Sequence, residues 1–252
     1  MGVCTLVLSM SACKSNSNKA SDPISISDNS QNALDWQGSY NGTLPCTDPD
    51  CMGIETVVSL NSNNSYTITR RYLNGENQTT EDTGKFQWNK DGSAITLDNG
   101  KGDKRAIKVG ENRLFWLDQD EKIINGELAE KYILHKVNLE LVEKYWKLTE
   151  LFGEPIKEGD VAKDAYITLR MLGNRLEGNG GCNSFFGSYE ANDIRIRFSQ
   201  VGSTMMMCPS MDIESKMKQV LEQADNFYAK NDTLVLNRAR MAPLARFVAV
   251  YM

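Results

Sequence analysis

Two cysteines separated by four residues, Cys46 and Cys51, are the clearest candidates for chemistry in this sequence. They lie in the stretch LPCTDPDCMGI, directly before Met52. As thiolates, with the Met52 thioether beside them, they would form a soft site suited to Cu(I). As a disulfide they would close a short loop, and a bridge in a short exposed loop can be reducible enough to act as a switch. The compartment of the chain decides between these alternatives.

The N-terminus, MGVCTLVLSMSACKS, predicts export. A short apolar run leads through small residues to Cys13, and the run is too short to cross a bilayer. The four residues that end at this cysteine, Met10 to Cys13, resemble a bacterial lipoprotein lipobox. We therefore expect residues 1–13 to be a lipoprotein signal that ends at a lipidated Cys13. The Ser/Asn-rich residues 14–33 have no hydrophobic periodicity and predict a flexible tether.

Export also bears on the other cysteines. If Cys13 carries the lipid, the mature chain keeps four more, as two local pairs, Cys46 with Cys51 and Cys182 with Cys208. An oxidising envelope favours disulfides in both pairs. For the first pair the order of preference is a structural bridge, then a redox switch, then a copper site.

Composition narrows the function further. A net charge of −5 without a basic cluster argues against nucleic-acid partners. The single histidine, His135, lies in the alternating stretch KYILHKV, and neither Ser nor Cys can be paired with it from the sequence. We therefore predict a protein that is not an enzyme and requires no cofactor, with copper as the one candidate. Since no other apolar run approaches spanning length, the lipid would be its only membrane anchor.

The first half, residues 34–138, contains seven short runs rich in β-branched and aromatic residues. Asn-Gly and Asp-Gly pairs between several of them supply the positive φ angles of tight hairpin turns. Strands at roughly ten-residue spacing with almost no helical pattern predict an antiparallel meander that closes into a barrel.

The second half, residues 142–252, predicts a strongly bent antiparallel sheet with one packed helix. Ser210 can cap this helix, which runs through DIESKMKQVLEQA. Its apolar residues form one stripe, Ile213, Met217, Val220, Leu221 and Ala224. We expect the preceding methionines, Met205 to Met207, to pack under the helix rather than to bind a metal, because consecutive strand residues face opposite ways.

Two families resemble these halves. The pattern W-x-G-x-Y-x-G-x-LPC-x(4)-C-x-GI resembles the N-terminal domain of the NlpE copper-resistance and envelope-stress lipoproteins. That family carries a C-x-x-C motif. In this chain the spacing between the two cysteines is two residues longer, with Pro49 inserted. The patterns W-x-L, G-x-GGCN-x-F-x-G-x-Y and ST-x-M-x-MCP resemble the META domain of the HslJ-like heat-shock lipoproteins.

The resemblances imply a mainly β chain, with a small lipocalin-like barrel followed by an α+β META domain. They also imply a lipid-anchored envelope protein, held to a membrane (the outer membrane, on its periplasmic or surface side). Its role would be copper tolerance or stress sensing through other envelope proteins. The alternative is a binding module that holds copper at Cys46, Cys51 and Met52, or a small apolar ligand in the barrel.

Overall fold

The structure is a computed structural model that describes residues 28–157, 159–208, 211–240 and 242–251. The predicted signal, its Cys13 and the first part of the predicted tether lie outside these residues. Among the described helices, none has the length and apolar character needed to cross a membrane.

The first domain is a closed barrel of eight antiparallel strands in sequence order. They are β1 Gly38–Leu44, β2 Ile54–Leu60, β3 Ser65–Tyr72, β4 Thr79–Trp88, β5 Ala94–Asp98, β6 Lys104–Gly110, β7 Arg113–Trp116 and β8 Ile133–Lys136. A 3-10 turn, Ala129–Tyr132, precedes β8. The predicted barrel is therefore confirmed, with one strand more than the seven runs of the sequence.

The additional strand is β1, whose sequence GSYNGTL has too little β-propensity to be recognised alone. It closes the barrel by pairing with β2 on one side and with β8 on the other. The glycine at position 42, which lowers the β-propensity of this strand, has a structural reason. A Cβ there would lie 2.8 Å from the Leu134 side chain of β8. Closure of the barrel thus requires a residue that weakens the strand signal.

A short helix with a capping box at Asn29, α1 Ser30–Ala33, lies against one end of the barrel. Gln31 N donates to Gly92 O at 2.9 Å, and Ser30 Oγ donates to Val109 O at 2.7 Å. These residues belong to the stretch predicted as a flexible tether, and that prediction is wrong for them. Their polar groups satisfy backbone atoms at the barrel end, a contact that composition cannot reveal.

The second domain is a nine-stranded antiparallel sheet with one helix, as predicted. Its strands are β9 Tyr145–Leu151, β10 Glu154–Pro155, β11 Ala165–Arg170, β12 Arg175–Gly180, β13 Ser184–Ala191, β14 Ile196–Ser203, β15 Asn226–Lys230, β16 Thr233–Asn237 and β17 Ala245–Val250. The sheet curls until its two end strands approach each other, where Phe227 N donates to Ile194 O at 3.0 Å.

Helix α2, Asp212–Gln223, packs its apolar stripe into this curled sheet. Its N-cap is Met211, without a side-chain cap hydrogen bond, and Ser210 lies outside the described residues, so the predicted Ser210 cap is not the one observed. The prediction for the preceding methionines is wrong. Met205 and Met207 are 96% and 99% exposed, because this segment follows the end of β14 as an irregular loop rather than passing under the helix.

The hairpin between β11 and β12 docks on the outer wall of the barrel. The Asn41 side chain donates to Met171 O at 2.7 Å and to Asn174 Oδ1 at 2.6 Å. Gly173 lies against the Glu55 carboxylate so closely that a Cβ would collide with it. The two domains are therefore joined by specific polar contacts as well as by the connecting chain.

Candidate functional site

The Cys46–Cys51 disulfide lies in the loop between β1 and β2, at the end of the barrel opposite α1. The loop turns through Cys51 N, which donates to Asp48 O at 3.1 Å. Its downstream end is pinned to the next loop, because Met52 N donates to Leu73 O and Leu73 N donates to Gly53 O. The bridge thus closes an exposed turn between two fixed strand ends. We call this turn, residues 46–51, the rim loop.

The rim loop in its oxidised form does not fit a thiolate copper site. Both sulfurs belong to the bridge, and Met52 is 87% exposed beside it. Within the residues that the structure describes, no three His, Cys, Asp or Glu side chains are grouped as metal ligands. Copper binding by Cys46, Cys51 and Met52 therefore stays a prediction for the reduced chain.

A cavity of about 640 Å³ lies in the open half of the barrel, at the end that carries the rim loop. Leu44, Pro45 and Ile54, which flank the loop, form part of its wall. Inside, Arg70 and Asp82 form an ion pair at 2.9 Å. This pair was not predicted from the sequence, although both residues fall on inward-facing positions of β3 and β4. The residues on either side of the rim loop thus line a cavity that contains an ion pair.

The second disulfide, Cys182–Cys208, ties the loop after β14 to the turn between β12 and β13. Cys182 is 2% exposed. The adjacent Asn183 side chain accepts from Met206 N at 2.7 Å and donates to Met206 O at 3.0 Å. This bridge is one part of a hydrogen-bonded clamp, and the exposed methionines lie on the segment that the clamp holds.

Glu214 completes the clamp from helix α2. Its carboxylate is 2% exposed and accepts from Asn183 N at 2.9 Å, from the Asn183 side chain, and from Lys218 Nζ at 3.1 Å. Burial alone raises the pKa of the Glu214 carboxyl, but these donors outweigh it and hold the pKa below its ordinary value. The sequence placed Glu214 only in the first helical turn, and its role here was missed.

A glycine makes this approach of helix and sheet possible. A Cβ at Gly180 would lie 2.7 Å from Glu214 Cγ. The GNGG run therefore serves close packing around the clamp. Its combination with a glutamate at the start of the next helix is the signal that could have identified the contact.

His135 lies on the exposed outer wall of the barrel. Its register partners are Asn41 on β1 and Arg113 on β7, neither of which is a nucleophile. It borders a cleft of about 770 Å³ between the domains, together with polar residues of both.

Comparison with known proteins agrees with both halves. The model of the NlpE N-terminal domain matches residues 40–127, and the model of the META domain matches residues 139–251. Lipoprotein NlpE of Escherichia coli (strain K12) is 27% identical over 89 residues, which is 35% of this chain and 37% of that protein. The match therefore spans little more than a third of that relative's length.

Two solved structures are similar to parts of the chain. A Shewanella oneidensis chain, described as a candidate lipoprotein, is 44% identical and has a TM-score of 0.41, covering 44% of this chain and 98% of its own. The crystal structure of the Cpx pathway activator NlpE from Escherichia coli is 17% identical with a TM-score of 0.31. It covers 79% of this chain and 83% of its own.

Proposed function

We propose that this chain, which joins an NlpE N-terminal domain to a META domain, is a non-catalytic lipoprotein of the bacterial envelope that senses stress through protein partners. The observation that carries the proposal is the match of residues 40–127 to the NlpE N-terminal domain, since these residues form the barrel and its bridged rim loop. The Escherichia coli relatives are described as a lipoprotein and as an activator of the Cpx pathway. On this basis we propose stress signalling as the role of this chain.

The rim loop is the element we propose as the sensor. Both of its sulfurs are half-buried, and the four residues between them are exposed. A thiol reductant can therefore reach the bridge without unfolding the barrel. Opening it would release the turn at Asp48 while β1 and β2 stay paired, so the change at the surface would be local and reversible.

The anchor we propose is a lipid on Cys13, which would hold the protein to the outer membrane. The chain reaches the barrel at its α1 end, and the rim loop lies at the other end. A lipid attached upstream of α1 would therefore join the chain to the membrane through the α1 end and leave the rim loop free of the anchor.

Metabolic labelling with an alkyne fatty acid tests the anchor. We expect the full chain to incorporate the label in a bacterial host and Cys13→Ser to lose it. Cys4→Ser is the matched control, because it removes a cysteine from the same N-terminal segment, and it should label normally. A Cys13→Ser chain that still carries the lipid would exclude this anchor.

An envelope-stress reporter tests the sensor. Overproduction of the lipidated chain should induce a Cpx-type reporter, and we expect the Cys46→Ser/Cys51→Ser double variant to change the induction at equal protein level. Met52→Leu is the control, since it alters the adjacent exposed residue and leaves the bridge intact. Equal induction by the wild type and the double variant would remove the rim bridge from signalling.

Copper tolerance is the second candidate, favoured by the two adjacent sulfurs with Met52 beside them. Anaerobic Cu(I) titration of the reduced chain should show a site that the oxidised chain lacks. Binding that survives in the Cys46→Ser/Cys51→Ser variant would rule out these ligands.

A further inference from the structure

We propose that the open half of the barrel binds a small organic anion that carries an aromatic ring. The proposal does not depend on the lipid anchor or on stress signalling. It starts from the difference between the two halves of the barrel interior.

The half of the barrel next to α1 is filled by its own side chains. Trp36, Phe86 and Trp88 pack edge to face there, with ring centroids 5.5–6.4 Å apart. Tyr40 is fully buried and donates its hydroxyl to Trp36 O at 2.7 Å. This half has no room for the apolar ligand considered from the sequence, which leaves the cavity of about 640 Å³ in the open half.

The floor of the cavity is apolar but already covered. Ile68 and Leu97, which line it, are only 2% and 1% exposed. Next to them in the β-ladders lie polar partners, Asp82 opposite Ile68 and Arg105 opposite Leu97. At the floor, a ligand would therefore contact these charged side chains more than Ile68 and Leu97, and the accessible aliphatic wall is at Pro45 and Ile54.

The charges of the cavity are unequally matched. Arg70 is paired with Asp82 inside the barrel, and Lys104 is paired with Asp98 at 3.3 Å. Arg105 has no ion-pair partner among the described residues. Its guanidinium lies 5.4 Å from the centre of the Trp116 ring. A planar cation is thus presented at the cavity mouth.

The Arg105 guanidinium could bind a carboxylate, sulfonate or phosphate with its remaining donors while it stays stacked on Trp116. Tyr72 and Tyr132, both half-buried, line the same cavity and offer ring surfaces for a flat body. Asp103 also lines the mouth and is exposed, without a hydrogen bond or ion pair to the described part of the chain.

A purely apolar occupant fits poorly. It would displace water from the Arg70–Asp82 pair and from Arg105 without giving them new partners, and uncompensated burial of charge is strongly unfavourable. An anionic group on the ligand would give the Arg105 guanidinium a partner and so remove the cost of burying this charge. These contacts select an aromatic anion over a neutral lipophile.

A matched pair of fluorescent probes tests the site. 1-Anilinonaphthalene-8-sulfonate and N-phenyl-1-naphthylamine differ by the sulfonate alone. With the oxidised full chain carrying Cys13→Ser, kept free of detergent, we expect saturable binding of the sulfonate with one site per chain. The neutral amine should bind at least about tenfold more weakly, the ratio that a lost charge-assisted hydrogen bond produces.

Variants assign the site to Arg105. Arg105→Gln should weaken sulfonate binding roughly tenfold, Arg105→Lys should weaken it less because the charge remains without the planar donors, and Asp103→Asn should tighten it. The matched control is Arg113→Gln, since Arg113 lies over Phe115 at 5.9 Å in a similar pair on the outer wall. The site is refuted if Arg105→Gln binds the sulfonate like the wild type, if Arg113→Gln weakens it equally, or if the neutral amine binds as tightly.

Discussion

The two disulfides are the same covalent bond in opposite surroundings. Cys46–Cys51 spans five positions of the sequence in an exposed turn, and its neighbours are loop backbone groups. Cys182–Cys208 spans 26 positions and adjoins a clamp of Asn183, Met206 and a buried Glu214. Opening the first bridge would change one turn. Opening the second would loosen the contact between helix and sheet.

The surroundings decide the role of each bridge more than the cysteine spacing does. At the rim loop, the strands on either side are held by their own ladders, so the barrel does not depend on the sulfur bond. In the META domain, the exposed loop of Met205 to Met207 is held to the sheet by the bridge and by the Asn183 side chain. We therefore assign switching to the first bridge and stability to the second.

The largest effect should follow removal of the META bridge. Cys182→Ala/Cys208→Ala is expected to lower the free energy of unfolding of this domain by about 3.5 kcal/mol, the chain-entropy value for a loop of this length. Hydrogen exchange resolved by mass spectrometry would show the loss in residues 182–221 and little change in the barrel. Equal loss of protection in both domains would contradict the assignment.

Glu214→Gln should come next, at about 2–3 kcal/mol. The substitution keeps the shape but places an amide where Asn183 and Lys218 donate, so a buried donor loses its acceptor. Urea unfolding measures the change. Glu222→Gln, on an exposed position of the same helix, is the control and should change stability by less than about 0.5 kcal/mol. If Glu222→Gln lowered the free energy of unfolding as much as Glu214→Gln, the clamp would not be a source of stability.

Removal of the rim bridge should cost less. In the same chain-entropy model, Cys46→Ala/Cys51→Ala lowers the stability of the barrel by about 2 kcal/mol. Exchange should increase in the rim loop and remain slow in β1 and β2. Loss of protection across all eight strands would show that the bridge holds the barrel together, against our comparison.

The smallest effect is the part of the pH dependence of META-domain stability that the Glu214 carboxylate contributes. Because the pKa of the Glu214 carboxyl is lowered by folding, its stabilisation is complete above its ordinary value of 4.5 and is lost as the pH falls through the folded value. As the pH falls below about 5, wild-type META stability should therefore decline more steeply than that of Glu214→Gln. Parallel curves would mean that the carboxylate is not held by these donors.

Local pattern predicted the elements of this fold well. The seven β-rich runs correspond to β2 to β8, and the apolar stripe of α2 is the buried face of that helix. The two family matches confirm the resemblance of each half. Both cysteine pairs form the bridges that an oxidising compartment favours. Hydrophobic periodicity and composition suffice for the strands and the helix because these elements depend on residues close in sequence.

Features that depend on distant partners were missed or wrong. β1 was not recognised because Gly42 is required by Leu134, far along the chain. The methionines were placed under the helix because the attachment of Met206 to Asn183 is not visible in the sequence. The Arg105–Trp116 contact requires the inward face of two strands to be known. In each case the deciding contact joins separate elements.

The order in which the two disulfides are reduced tests the central claim most directly. The oxidised full chain would be titrated with dithiothreitol under native conditions, its thiols trapped by alkylation, and each cysteine quantified by mass spectrometry. We predict that Cys46 and Cys51 are alkylated at reductant concentrations that leave Cys182 and Cys208 bridged. Simultaneous reduction of both pairs, or earlier reduction of the META pair, would contradict the division between switching and structural bridge.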